Sequence, residues 1–251
     1  MATLPDLLEI HLRYLTLLLL SAAIGCSEST RDLTDAIAET SRVTVGRDAD
    51  DPWGGLKVQA VGTPLEDAAQ IVVLLHGYGA TESDLVPLAD YIGGESRAFV
   101  FPAAPIAVDG GGLAWATTED ELAIAHAKLA SLVRFISKIY PNAEVAVGGF
   151  SQGATVSSML LLDRTLPIRH LILYSPALAI DAASIDSAHG IQVLLAHGQR
   201  DDVLPFADSK RLHEMLVREG IQTNWLPFDD GHTITTELLD ATRDQLSQES
   251  K

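Results

Sequence analysis

Seven apolar runs of strand length, at residues 56–61, 71–75, 98–101, 144–148, 170–174, 191–196 and 224–228, alternate with amphipathic stretches of helical period. The runs are close to continuously hydrophobic, so each strand needs cover on both faces. That pattern calls for a mostly parallel sheet sandwiched between helices. Helices are predicted at 83–91, 119–139, 152–163, 206–218 and 234–246. The longest carries Leu122, Leu129, Leu132, Val133 and Ile136 on one side. Thr118 and Glu121 are spaced as a capping box at its start, and Pro141 stops it. A chain of 251 residues holds one such domain and a short extension. In sheets of this kind reactive groups gather at the carboxyl ends of the strands.

One of those ends carries the sequence Gly148-Gly-Phe-Ser-Gln-Gly153, directly after a β-branched run and directly before a helical pattern. Strand, sharp turn and helix in succession place Ser151 at the apex. Gly149 and Gly153 flank it because the neighbouring backbones approach too closely for larger side chains. The serine is a candidate nucleophile. A solvated serine in an ordinary glycine-rich turn is the plainer alternative.

Two further segments fall just past strand ends. Residues 196–205 offer Asp201 and Asp202, and Asp229-Asp-Gly-His232 follows the last run. The order Ser, Asp, His is that of α/β-hydrolases and differs from both large serine-protease folds. A serine hydroxyl attacks poorly until an imidazole takes its proton, and a carboxylate fixes that imidazole's tautomer. His197 is a rival base, but it ends a strand before a glycine and is expected to brace the acid loop. His76 is read as part of a donor loop. His126, His170, His189 and His213 have no companions and are read as packing or solvated residues. Developing negative charge needs donors, and Leu75-His-Gly-Tyr-Gly79 supplies a glycine-rich loop. The N–H groups of Tyr78 and Gln152 are expected to serve as that oxyanion site. No His, Cys, Asp and Glu grouping has metal spacing.

Acidic residues outnumber basic ones by 34 to 17, a formal net charge of −17, which opposes binding to nucleic acid. The single cysteine, Cys26, follows an eleven-residue apolar run at 14–24 and the small residues Ala22-Ala-Ile-Gly. The run is short for a membrane span and suits a signal-peptide core. Residues 1–25 are read as a signal resembling that of bacterial lipoproteins, with Cys26 as the lipidated residue. Asp6 and Glu9 in the leading segment, with Arg13 its only basic side chain, depart from that pattern. A plain secretory signal, an uncleaved anchor and a cytoplasmic protein are the alternatives. Residues 26–54 read as an acidic tether without a clear strand, and 55–251 as the catalytic domain.

Taken together, His76-Gly-Tyr-Gly79, Phe101-Pro-Ala-Ala-Pro105 with Trp115 downstream, Gly148–Gly153, His197-Gly-x-x-Asp201-x-Val-Leu-Pro205 and Gly231-His232 resemble the phospholipase/carboxylesterase family. The resemblance runs from about Leu56 to Leu246. It implies an α/β-hydrolase fold of about seven strands that cleaves carboxylic esters, and also thioesters or lysophospholipids, without metal or organic cofactor. It further implies Ser151, Asp201 and His232 as the triad, choosing Asp201 over Asp202, with Tyr78 and Gln152 as oxyanion donors. Trp115, Leu204 and Phe206 are candidates for the substrate pocket wall or, equally, for core packing. Departures are Tyr78 where an aliphatic residue is frequent, Tyr174-Ser-Pro-Ala where a serine-glycine is usual, and the flexible Gly110-Gly-Gly112 loop. A peptidase or dienelactone-type hydrolase on the same fold, and a catalytically silent binding lipoprotein, are the rival readings. The expected partners are a small-molecule ester and, through acylated Cys26, a membrane surface.

Overall fold

The computed structural model describes residues 43–45, 53–181, 185 and 190–248. Its strands are β1 (Val43–Val45), β2 (Val58–Gly62), β3 (Gln70–Leu75), β4 (Arg97–Pro102), β5 (Ile106–Ala107), β6 (Leu113–Ala114), β7 (Glu144–Phe150), β8 (His170–Tyr174), β9 (Gln192–Gly198) and β10 (Gln222–Phe228). The helices are α1 (Pro87–Ile92), α2 (Glu119–Ile139), α3 (Gln152–Ser158), α4 (Phe206–Arg218) and α5 (Thr236–Leu246). A 3-10 turn, Met159–Leu162, continues α3. All strands but β5 and β6 form one sheet in the order β1-β2-β4-β3-β7-β8-β9-β10. From β4 to β10 every pairing is parallel, while β1 and β2 run antiparallel at one edge. This is the α/β-hydrolase architecture expected from the sequence.

The unbroken apolar runs divide between two core layers because successive strand residues point to opposite faces. On β3, Ile71, Val73 and Leu75 join one layer and Val72 and Leu74 the other. On β9, Val193 and Leu195 oppose Leu194 and Ala196 in the same way. The first layer is covered by α2, α3 and α4, and the second by α1 and α5. Helix α2 begins where Thr118 accepts the Glu121 N–H at 3.2 Å. The return half of the capping box is displaced by one residue, since the Glu121 carboxylate accepts from the N–H and hydroxyl of Thr117 at 2.7 and 2.6 Å. A cap of this kind contributes about 1 kcal/mol. Leu129, Leu132, Val133 and Ile136 are wholly buried, and at roughly 2 kcal/mol each their burial dominates.

Two local expectations differ from the fold. The helix expected from residue 83 starts at Pro87, because Asp84 accepts the Thr81 N–H and hydroxyl at 2.7 and 2.6 Å and turns the chain first. Val43–Val45, within the expected tether, pairs with β2 as an eighth strand, since a β-branched triplet suits an open antiparallel edge. The Gly110–Gly112 segment lies at the tip of the β5–β6 ribbon. Residues 1–42, with Cys26, lie outside the described residues.

His170 is fully buried at the start of β8, and neither ring nitrogen has a hydrogen-bond partner among the described residues. Burial lowers its pKa from 6.5 to about 4. Between those values the unfolded chain binds more protons than the fold, so stability falls as pH drops through that window. His170→Phe is therefore expected to flatten the pH dependence of the urea midpoint between pH 6.5 and 4, relative to wild type. An unchanged slope would assign the acid sensitivity elsewhere.

Candidate active site

The parallel register brings the carboxyl ends of β7, β8, β9 and β10 side by side, through the pairs Phe150 with Tyr174, Tyr174 with Ala196 and Gly198 with Phe228. The chain leaves β7 into α3 within one residue. Ser151 adopts φ 56° and ψ −120°, the left-handed side of backbone space that an L residue enters only under constraint. A Cβ on Gly153 would collide with the carbonyls of Leu75 and His76, and one on Gly149 with the Leu75 carbonyl and the Gly153 backbone. The flanking glycines therefore let helix and strand pass where no side chain fits.

At this end the three expected groups meet. His232 Nε2 lies 2.9 Å from Ser151 Oγ, and His232 Nδ1 lies 2.6 Å from Asp201 Oδ2. Asp201 Oδ1 accepts the N–H groups of Val203 at 2.9 Å and Leu204 at 2.8 Å. A carboxylate beside Nδ1 fixes the tautomer in which Nδ1 carries a proton and Nε2 faces the serine. Burial tends to raise the Asp201 pKa, but hydrogen bonds from His197, His232 and the Leu204 N–H outweigh it. The net result holds the carboxyl well below its usual range. Asp202, next in sequence, is exposed and takes no part. The Phe150 ring sits 4.6 Å from that of His232, centroid to centroid, and seats the imidazole.

The acid and histidine loops are laced together by backbone bonds, Gln199 N–H to Phe228 O at 2.8 Å and Arg200 N–H to Asp230 O at 2.9 Å. The lacing needs Gly198, because a Cβ there would strike the Asp230 and Gly231 carbonyls. That is the physical content of the glycine after His197. His197 itself is buried beneath the acid loop, with Nε2 3.1 Å from Asp201 Oδ2, so it is not placed against Ser151.

The donor loop closes the other side. Gly77 approaches Ser151 so nearly that a Cβ would lie 3.3 Å from the serine Cβ. Gly79 N–H donates to Leu113 O at 2.8 Å, and Leu113 N–H returns to Ala80 O at 2.9 Å, so the ribbon holds the loop. Gln152 follows Ser151 directly as the first residue of α3, and Tyr78 follows Gly77, the loop residue that packs against Ser151. Tyr78 N–H has no acceptor among the described residues, and Gln152, as first residue of α3, has none within its helix.

A buried frame beneath this loop escaped the sequence reading. The Gln152 side chain accepts the Trp115 N–H at 2.7 Å and donates to Ala116 O at 2.6 Å. Trp115 Nε1–H donates to His76 O at 2.8 Å, His76 Nδ1 bonds Gly77 O at 2.8 Å, and His76 Nε2 takes the Ala104 N–H at 3.1 Å. Desolvation lowers the His76 pKa, which keeps the ring neutral and able to accept. Trp115 and Leu204, expected as pocket wall, are 0 % and 1 % exposed. They brace the loops from behind and present no surface to a ligand. Phe206 is half-buried and packs against Trp225 and His197, with centroids 5.7 and 5.9 Å apart. Among the described residues no group of three or more His, Cys, Asp and Glu is placed to hold a metal ion.

Known proteins share this fold. A model of the phospholipase/carboxylesterase family matches residues 56–249. The crystal structure of esterase PE8 superposes with a TM-score of 0.68 at 26 % identity, covering 76 % of this chain and 97 % of that one. A carboxylesterase from Mesorhizobium loti gives a TM-score of 0.69 at 21 % identity, covering 83 % and 99 %. The Bacillus cereus carboxylesterase gives 0.65 at 22 %, covering 76 % and 93 %, and like the Mesorhizobium protein it bears on the fold alone. With more than half its length matched by the family model, the chain belongs to the phospholipase/carboxylesterase family.

Proposed function

We propose that this protein is a serine hydrolase that cleaves carboxylic esters through an acyl-enzyme. The observation that carries the reading is the unbroken chain from Ser151 Oγ to His232 Nε2, and from His232 Nδ1 to Asp201 Oδ2, at 2.9 and 2.6 Å. His232 takes the serine proton as Oγ attacks the ester carbonyl. Asp201, buried and ionised, stabilises the imidazolium that forms. The carbonyl oxygen becomes an oxyanion, held by the Tyr78 and Gln152 N–H groups. Each such donor is worth about 3 kcal/mol in the transition state. His232 then passes its proton to the departing alkoxide, which leaves as the alcohol. Water, deprotonated by the same imidazole, attacks the acyl-enzyme and returns the serine with release of the acid. Family membership supports esters over peptides as the substrate class, and thioesters and lysophospholipids fall within the same chemistry.

The N-terminal segment supports a second proposal, that Cys26 carries the lipid of an exported, membrane-anchored protein. One acyl chain gives only marginal binding, whereas two or more hold firmly.

Two outcomes follow. With p-nitrophenyl acetate and butyrate, Ser151→Ala is expected to lower kcat by about 10⁵ to 10⁶. Asp201→Asn is expected to lower it by about 10⁴ through the wrong tautomer, and Asp202→Asn to leave it unchanged. Turnover that survives Ser151→Ala, or a loss that tracks Asp202, would contradict the assignment. In a bacterial host the protein is expected in the membrane fraction, and Cys26→Ser is expected to release it. Wild-type protein found free of membranes would contradict the anchor.

A further inference from the structure

Asp201 serves two imidazoles, and the mechanism above uses only one. His197 Nε2 lies 3.1 Å from Asp201 Oδ2, the same oxygen that meets His232, and 3.1 Å from Leu204 O. Both neighbours of Nε2 are acceptors, so this nitrogen carries a proton. Nδ1 lies 2.6 Å from Ser209 Oγ, whose other acceptor, Pro176 O, is 3.4 Å away. The close hydroxyl is placed to donate to Nδ1 while the Nε2 proton faces Asp201 and Leu204. The side chains of His197 and Asp201 are both wholly buried. With two backbone N–H groups on Oδ1 and two ring N–H groups facing Oδ2, the carboxylate has a partner for every lone pair.

We propose that His197 is a positioning residue for the Asp201–His232 pair, and that its shared Nε2–H holds the carboxylate in register with His232 and tempers the pull of Oδ2 on the His232 proton. The proposal rests on the reading of Asp201 and His232 as acid and base. Without the His197 N–H, Oδ2 keeps more negative charge for His232 and stabilises its imidazolium more strongly. The base is then protonated at higher pH and lost to catalysis sooner. Few charged groups compete for this effect. Helix α4 contributes Asp208 beside Ser209, and the loop after β10 contributes Asp229 and Asp230 with His232. Asp208 Oδ2 takes the Leu178 N–H at 3.4 Å, while Arg200 pairs with Asp229 at 3.1 Å on the surface. No lysine or arginine is paired with Asp201 among the described residues.

The test is the pH profile of kcat/KM for a p-nitrophenyl ester, whose acid limb reports the free enzyme's base. His197→Leu is expected to lower kcat/KM by about 10- to 100-fold, as for a lost hydrogen bond to a charge, and to move the acid limb up by about half a pH unit. His197→Gln puts an amide N–H near the former Nε2 and is expected to restore both the limb and most of the rate. Ser209→Ala removes the partner that fixes the tautomer and is expected to shift the limb in the same direction by less. A folded His197→Leu protein whose acid limb matches wild type would overturn the proposal, as would a glutamine variant no better than leucine. If His197→Leu does not fold, Ser209→Ala decides, and an unmoved limb there overturns it. Ser151→Ala separates the two readings. Hydrolysis that needs Ser151 while His197 variants keep the wild-type profile removes only the positioning role.

Discussion

At Ser151 the backbone is held at φ 56°, and the reactive end of the sheet is arranged around that reversal. A residue with a side chain does not settle there by preference; the cost is of order 1–3 kcal/mol. The surroundings that enforce it are parallel strands and glycines. Ser151 N–H donates to Tyr174 O at 2.9 Å, the Ser151 carbonyl receives the Thr155 N–H and hydroxyl at 3.0 Å each, and Gly153 slides under Leu75 and His76. Thr155 Oγ1 also accepts the Ala177 N–H at 3.0 Å, tying the loop after β8 to the same turn. Strain at Ser151 is thus supported by two neighbouring strands, and relaxing it would require the sheet's carboxyl end to come apart.

The other members of the site depend on loop-to-loop contact rather than on strain. Acid loop and histidine loop run over Gly198 with their backbones bonded to one another, so Asp201 and His232 sit on loops tied together. The donor loop is fixed from beneath by Gln152, Trp115 and His76, whose hydrogen bonds link segments far apart in sequence. These bonds are buried, and breaking any one would strand a polar group away from water at a cost of about 1–3 kcal/mol. The side chains of Gln152, His76 and His197 accordingly act on geometry, while Ser151 and His232 meet at the carboxyl end of the sheet.

Much of this was legible before the fold was known, for reasons that can be named. Unbroken apolar runs announce strands covered on both faces, and all seven proved to be strands within two residues of the expected bounds. Glycines two residues either side of Ser151 announced the reversal. The choice between Asp201 and Asp202 was not readable from spacing, since both follow β9. A local signal did exist: an Asp that caps the N–H groups two and three residues on, as Asp201 does, is held inward. Trp115 and Leu204 suit a pocket wall and core packing equally by sequence. Their burial is decided by His76, 39 residues from Trp115, and by the two imidazole loops, which no local pattern encodes. The clamp made by the Gln152 side chain was invisible for the same reason, because its partners lie 36 and 37 residues away.

The central claim is that Ser151 becomes the acylated atom. Reaction with a fluorophosphonate, read by intact mass and peptide mapping, tests it most directly. The account predicts one adduct per chain, on the peptide that contains Ser151, absent in Ser151→Ala and formed slowly in His232→Ala. A label carried by another residue, or no label on folded wild-type protein, would contradict it.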